Sequence, residues 1–128
     1  MHTPPYDPFV AGLLGMVEEP SSDGVNHSHV DVRPELLNSS GAVHGGVTFS
    51  LVDQSMGGAV DSVTAPDESN VTVELKVNYL APVHEGRMDC ESRVLRRGRR
   101  LVIAEADVRN AGRLVAKGLG TFAIVPGP

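Results

Sequence analysis

A helical period occurs at length only once in this chain. Val47, Leu51, Val52, Met56, Ala59, Val60 and Val63 recur at three- and four-residue spacing, a broad apolar stripe on one helix running from about His44 to Val63. Ala65-Pro66-Asp67 closes it. Beyond that point every stretch reads as strand. Val71, Val73, Leu75, Val77 and Tyr79 alternate with Thr72, Glu74, Lys76 and Asn78, which predicts a half-buried strand. Residues 87–95, 101–109 and 114–125 follow as three more, separated by turns at 82–86, 97–99 and 110–112. Four consecutive strands joined by short turns imply an antiparallel meander. A single one-sided helix must bury its stripe against that sheet. The fold class is therefore α+β, an antiparallel sheet wrapped around one central helix.

The segment ahead of the helix adds little to the core. Asp7-Pro8 reads as an N-cap with proline at the first helical position, and Phe9, Val10, Leu13 and Leu14 share a face, so a short helix is expected over 7–15. Met16 to Glu19 reads as the start of a strand. Ser21 to Gly24 is a turn, and Val25 to Arg33 alternates as a strand ended by Pro34. Asn38 to Gly46 is a glycine- and serine-rich loop. The 128 residues carry no repeat and no low-complexity segment, and residues 1–128 read as one domain.

Composition excludes several function classes. The net charge of −5 and an aromatic content of 4% argue against binding nucleic acid. A single cysteine, Cys90, excludes an internal disulfide and a cysteine-rich zinc site and suits a reducing compartment. The apolar run Phe9 to Val17 is too short to span a bilayer and lacks the flanks of a signal peptide. A soluble cytoplasmic protein without a membrane partner is the expectation.

The chemistry gathers where the long helix begins. Residues 41–53 read GAVHGGVTFSLVD. The first turn of a helix carries backbone N–H groups without internal partners, at the positive end of the helix dipole. Gly45 and Gly46 present no side chain to block a ligand, so these groups suit a developing oxyanion. Glycines that merely let the loop turn would look the same, but Asn38, Gly41 and His44 surround them. Asp53 falls on the side of the helix shared by Phe49, Met56 and Val60, which makes it a partly shielded carboxylate suited to act as nucleophile or general base. Gly45 and Asp53 are about 12 Å apart along the axis, so they cannot serve one carbonyl from the same helix. A two-fold dimer with antiparallel helices brings Gly45 of one subunit toward Asp53 of the other.

The stretch NSSGAVHGGVTFSLVD, Asn38 to Asp53, resembles the motif of the hotdog-fold acyl-CoA thioesterases, and is most similar to the phenylacetate-pathway (PaaI-like, or 4HBT) type. Asn, Gly, His-Gly-Gly and an Asp nine positions after the His all match. Asp7-Pro8-Phe9, Val77 to Pro82, Gly98-Arg99-Arg100 and Arg109 to Ala116 resemble further family segments, so the likeness covers nearly the whole chain. The resemblance implies that the Gly45 N–H polarises a thioester carbonyl and that Asp53 of the partner subunit attacks it or activates water. It further implies that Asn38 holds the carbonyl or the water, that His44 supports the loop, and that Thr72 positions the water. The strand alternation alone leaves Thr72 equally readable as a surface residue. Gly57 and Gly58 each cost on the order of 1 kcal/mol inside a helix, and they make room either for an acyl chain or for a close helix contact.

Arg96-Arg97-Gly98-Arg99-Arg100 holds four of the eleven basic residues. Arginine pairs well with phosphate, so Arg97, Arg99 and Arg100, together with Gly46, are candidate coenzyme A contacts, the competing reading being a solvated turn. His27 and His29 share a strand face without a third ligand and read as surface residues. No metal and no cofactor is expected, coenzyme A being part of the substrate. The expected assembly is a homodimer at least, and a homotetramer by family likeness. His-Gly-Gly also occurs in lipase oxyanion loops, but no Gly-x-Ser-x-Gly elbow is present. A hydratase or dehydratase on acyl thioesters and a non-catalytic acyl-CoA sensor are the alternatives. An aryl- or phenylacetyl-CoA hydrolase is the leading expectation.

Overall fold

The computed structural model describes residues 1–127. One 17-residue helix, α1 (Gly45–Asp61), lies in the concave face of a six-stranded antiparallel sheet. The strands are β1 (Val17–Glu18), β2 (Val25–Asp31), β3 (Glu68–Tyr79), β4 (Arg87–Arg97), β5 (Leu101–Asn110) and β6 (Arg113–Pro126), in the order β1-β2-β4-β5-β6-β3. The helix is short of its expected span by one residue at the start and two at the end. Its apolar stripe behaves as the period predicts: Leu51, Val52, Met56, Ala59 and Val60 are fully buried. Burying each of the larger ones contributes roughly 1.5–3 kcal/mol relative to leaving it in water. Across from them the sheet contributes Met88, Val102, Val108 and Phe122.

The four-strand meander is corrected to three strands. β4, β5 and β6 form it, with β4 paired to β5 and β5 to β6. β3 instead pairs with β6 along the far edge, and β2 occupies the other flank of β4. The 80–86 segment is therefore a crossover between opposite edges and not a hairpin turn. Sequential adjacency favours hairpins, but β2 already pairs along the free flank of β4 over seven residues.

The alternation expected of β3 is corrected as well. Thr72 pairs with Phe122 and Glu74 with Thr121, so Val73 is an extra residue, a β-bulge. Ahead of the bulge, Asn70 and Thr72 face the helix. After it, Leu75, Val77 and Tyr79 do. Val71 and Val73, read from sequence as inner positions, are 51% and 57% exposed. The N-terminal helix 7–15 is reduced to a π-helical turn at Pro8–Leu13, capped as expected by the Asp7 carboxylate accepting from the Phe9 and Val10 amides.

Candidate active site

β3 runs back along α1 and meets it at three points. Tyr79 Oη donates to the Gly45 carbonyl at 2.7 Å. Thr72 Oγ1 donates to Asp53 Oδ1 at 2.7 Å. Asn70 Nδ2 donates to Asp61 Oδ1, two turns further along the helix. The bulge makes this possible, because without the extra residue Thr72 and Tyr79 would face opposite sides of the sheet. Asp53 Oδ2 accepts no hydrogen bond among the described residues, so one carboxylate oxygen is held and the other is free.

The helix start is organised by His44. Its side chain is the N-cap, with Nδ1 accepting from the Gly46 amide at 2.9 Å, which places the ring proton of the neutral form on Nε2. The Val47 amide donates to the His44 carbonyl, and the His44 amide donates to the Leu36 carbonyl. The Gly46 amide is thus taken up by the cap. The Gly45 amide has no acceptor among the described residues, and it is the donor left for a ligand. The Tyr79 ring lies over Gly45: a Cβ there would come within 3.4–3.6 Å of it. Asn38 folds the preceding loop, its Oδ1 accepting from the Ser40 and Ala42 amides at 2.9 and 3.2 Å.

Gly45 opens into a cleft of about 330 Å³ whose walls include Asn38, Val43, Thr48, Tyr79, Val83 and Val115. Asp53 lies in a different groove of about 240 Å³, which Thr72, Glu18, Gln54, Gly57 and Asn70 also line. The sequence reading brings Asn38, His44 and Gly45 together, and the structure places all three around one loop. It places Asp53 and Thr72 together in the second groove. Within one chain the two groups do not share a cleft.

The arginine turn lies beyond the far end of α1. Arg97 donates to the carbonyls of Val63, Gly98 and Arg99 and pairs with Glu68 at 3.0 Å, so it clasps the turn to the helix end. Arg99 and Arg100 are exposed and form no ion pair among the described residues.

Three residues escaped the sequence reading. In the sequence Tyr79 stands in the strand alternation and in the family-like segment Val77 to Pro82, and neither gives it a role at the site. Glu18 sits half-buried beside the Asp53 groove, and Asn26 is fully buried beneath it. Asn26 Nδ2 donates to Ser21 Oγ at 2.7 Å, Glu18 Oε2 at 3.2 Å and the Glu19 carbonyl at 3.3 Å, while its Oδ1 accepts from the Ser28 and Ser55 hydroxyls. Burial raises the Glu18 carboxyl above its ordinary value, opposed by bonds from Gln54 and Asn26. Burial likewise raises Asp61, opposed by the nearby His2 and Asn70. The polar period Asn26, Ser28 in β2, together with the buried Ser92 of β4 that donates to Ser55, is the sequence signal for this network.

Residues 40–117 match the thioesterase superfamily, the 4HBT family. A Saccharolobus solfataricus protein provisionally named an esterase is 33% identical over 116 residues, 90% of this chain and 77% of its own length. Human acyl-coenzyme A thioesterase 13 is 31% identical over 93 residues, 70% of this chain and 66% of its own. The structure of a conserved protein of Pseudomonas aeruginosa superposes with a TM-score of 0.86 at 42% identity, covering 90% of this chain and 92% of the other. A mutant of the phenylacetic acid degradation protein PaaI from Thermus thermophilus gives 0.84 at 25% identity, covering 91% and 98%. With its one helix held in a curled antiparallel sheet and its His-Gly-Gly helix start, the chain belongs to the thioesterase superfamily, a hotdog-fold family of thioester hydrolases.

Proposed function

We propose that this protein hydrolyses an acyl-CoA thioester of the aryl or phenylacetyl type to the free acid and coenzyme A, at a site shared between two subunits. The observation that carries this reading is the division of the site. A free amide at Gly45 and a half-free carboxylate at Asp53 are the two parts an acyl transfer needs, and one chain holds them in separate clefts. A partner related by a two-fold axis, its helix antiparallel, brings its Gly45 toward this Asp53. β3 supports that arrangement. It is a 12-residue edge strand with an uncovered row of backbone groups, and such an edge is a template for a second strand.

In the reaction the Gly45 amide takes the charge that develops on the thioester oxygen. The free Asp53 oxygen attacks the carbonyl carbon or takes a proton from the attacking water, while Thr72 holds the other oxygen. The C–S bond then breaks and the thiolate leaves with a proton from solvent; on the nucleophilic route water next cleaves the acyl–Asp53 anhydride, which frees the acid and restores the carboxylate. A thiol pKa of about 8.5, against about 16 for water, makes a dedicated general acid unnecessary. Asn38 and His44 hold the loop that presents Gly45. Arg99 and Arg100 are the side chains available to the coenzyme A phosphates, Arg97 being engaged in its clasp.

The test is free-thiol release from phenylacetyl-CoA by wild type and by Asp53→Asn, each checked for folding and assembly by size-exclusion chromatography. A drop of at least about 100-fold in kcat for the folded variant is expected. Equal rates would remove the carboxylate from the mechanism. Silence of the wild type across aromatic and aliphatic acyl-CoAs would favour a sensor of acyl-CoA.

A further inference from the structure

The 80–86 crossover is anchored to the sheet from several sides. The Leu80 and Ala81 amides donate to the Val115 carbonyl of β6 at 2.8 and 3.2 Å. The Val32 amide donates to the Gly86 carbonyl at 2.8 Å, and Asn110 Nδ2, at the end of β5, donates to the Glu85 carbonyl at 3.0 Å. Val83 is buried between these anchors. The segment is a fixed rail, and the loop ahead of α1 hangs on it. The Val43 amide donates to the Val83 carbonyl at 2.8 Å. His84 Nδ1 lies 3.0 Å from the Gly41 carbonyl oxygen. A carbonyl only accepts, so Nδ1 carries the proton and donates.

Gly41 depends on that bond. Its φ is +81°, and a Cβ placed there would meet nothing within 4 Å. Packing does not hold this turn, so hydrogen bonds must. The turn wraps Asn38. The Gly41 amide donates to the Asn38 carbonyl at 3.1 Å, and the Asn38 amide donates to the Ala42 carbonyl at 2.7 Å. Asn38 Oδ1 takes the Ser40 and Ala42 amides. With Oδ1 occupied by the loop, the side-chain amide has one orientation, and Nδ2 is the end left over. Nδ2 has no acceptor among the described residues, and Asn38 lines the Gly45 cleft. In the thioesterase reading, on which the inference rests, this donor is available to the thioester carbonyl or to the attacking water.

We infer that His84 is a positioning residue for the reaction: by holding the Gly41 carbonyl it locks the 38–42 turn and so fixes the Asn38 Nδ2 donor in the cleft. His84 touches no reacting atom. Its side chain is exposed, so its removal leaves the core intact. Asparagine at position 84 is the conservative replacement, because its Nδ2 follows Cγ as Nδ1 does in histidine. Aspartate at position 38 is the matching probe, since it keeps the acceptor for Ser40 and Ala42 and loses the donor.

The experiment measures kcat and KM for wild type, His84→Ala, His84→Asn, Asn38→Asp and the double variant, with Glu85→Ala as a neighbouring control. The substrate is whichever of phenylacetyl-, benzoyl- and hexanoyl-CoA wild type hydrolyses fastest. In His84→Ala kcat should fall about three- to tenfold, the value of one neutral hydrogen bond, with KM little changed. His84→Asn should recover most of the loss, and Glu85→Ala should match wild type. In the Asn38→Asp background, His84→Ala should cost nothing further, because the donor it positions is gone. Amide exchange followed by NMR in the free protein runs in parallel: the Ser40 and Ala42 amides should exchange about three- to tenfold faster in His84→Ala and return to the wild-type rate in His84→Asn. An unchanged kcat in His84→Ala, no recovery in His84→Asn, or the same loss in both backgrounds overturns the inference. Should Asn38→Asp be too slow to measure, recovery in His84→Asn together with the exchange rates decides. A wild type that hydrolyses none of the three substrates sinks the hydrolase reading alone. The exchange rates then decide whether His84 locks the turn, and equal rates in wild type and His84→Ala overturn it.

Discussion

Two adjacent glycines in α1 should respond oppositely to the same substitution. Gly57 faces the open groove, so alanine there gains helix propensity, about 1 kcal/mol, at little steric cost. Gly58 faces the buried polar network. A Cβ at that position would overlap the Glu18 carboxylate and lie 2.8 Å from Asn26 Nδ2 and 3.1 Å from Ser21 Oγ. Glu18 can swing toward solvent, but Asn26 is fully buried and tied at both ends of its amide. Displacing it breaks one or two buried bonds at roughly 1–3 kcal/mol for each group left unsatisfied. Against the same propensity gain, Gly58→Ala should be destabilised by about 2 kcal/mol, a Tm fall of about 6–8 °C for a chain of this size. Gly57→Ala should rise by about 3 °C. Thermal unfolding at one fixed protomer concentration measures both, since any assembly makes Tm concentration-dependent. A Gly58→Ala protein as stable as Gly57→Ala would refute the claim that this network packs on the helix backbone.

Other outcomes follow from the same geometry. Tyr79→Phe removes the bond to the Gly45 carbonyl, and steady-state kinetics should show a kcat loss of roughly fivefold with KM little changed, as expected for a positioning residue. The Glu18 carboxyl is raised in the folded state, so the stability it contributes is present below the unfolded value and is lost as pH rises through the folded one. The Tm of Glu18→Gln minus that of wild type should therefore grow more positive from pH 4 to pH 7, and a flat difference would contradict the shift. Cys90 is buried, and burial pushes its thiol up to about 11, so the native protein should resist Ellman's reagent at pH 8 and react only on unfolding.

The helix, its apolar stripe and the loop ahead of it were legible because each rests on local signals: a period, a cap and a run of glycines. His44, Gly45 and Asn38 stand within a few residues of one another, so sequence proximity alone gathers them. Strand order was not legible, because the pairing of β3 with β6 depends on a crossover whose length and composition resemble a turn. Thr72 could not be assigned, since its direction depends on a one-residue bulge that leaves Val71 and Val73 looking like core positions. Gly57 and Gly58 read alike in sequence and differ only in what their missing side chains would meet. Glu18 acquires its place from a two-residue strand, too short to carry a pattern.

The bulge at Val73 acts as a frame shift written into one strand. Upstream of it the even-numbered residues address the helix, and downstream the odd-numbered ones do. Deleting Val73 would restore a single reading frame along β3, and no choice of frame could then satisfy both halves. Keeping Tyr79 on Gly45 would turn Thr72 away from Asp53, and keeping Thr72 would turn Tyr79 outward together with Leu75 and Val77. Insertions and deletions on the two sides of this residue are thus not equivalent. A strand of this length tolerates a change of side chain at Val73 far more readily than a change in the count of residues there.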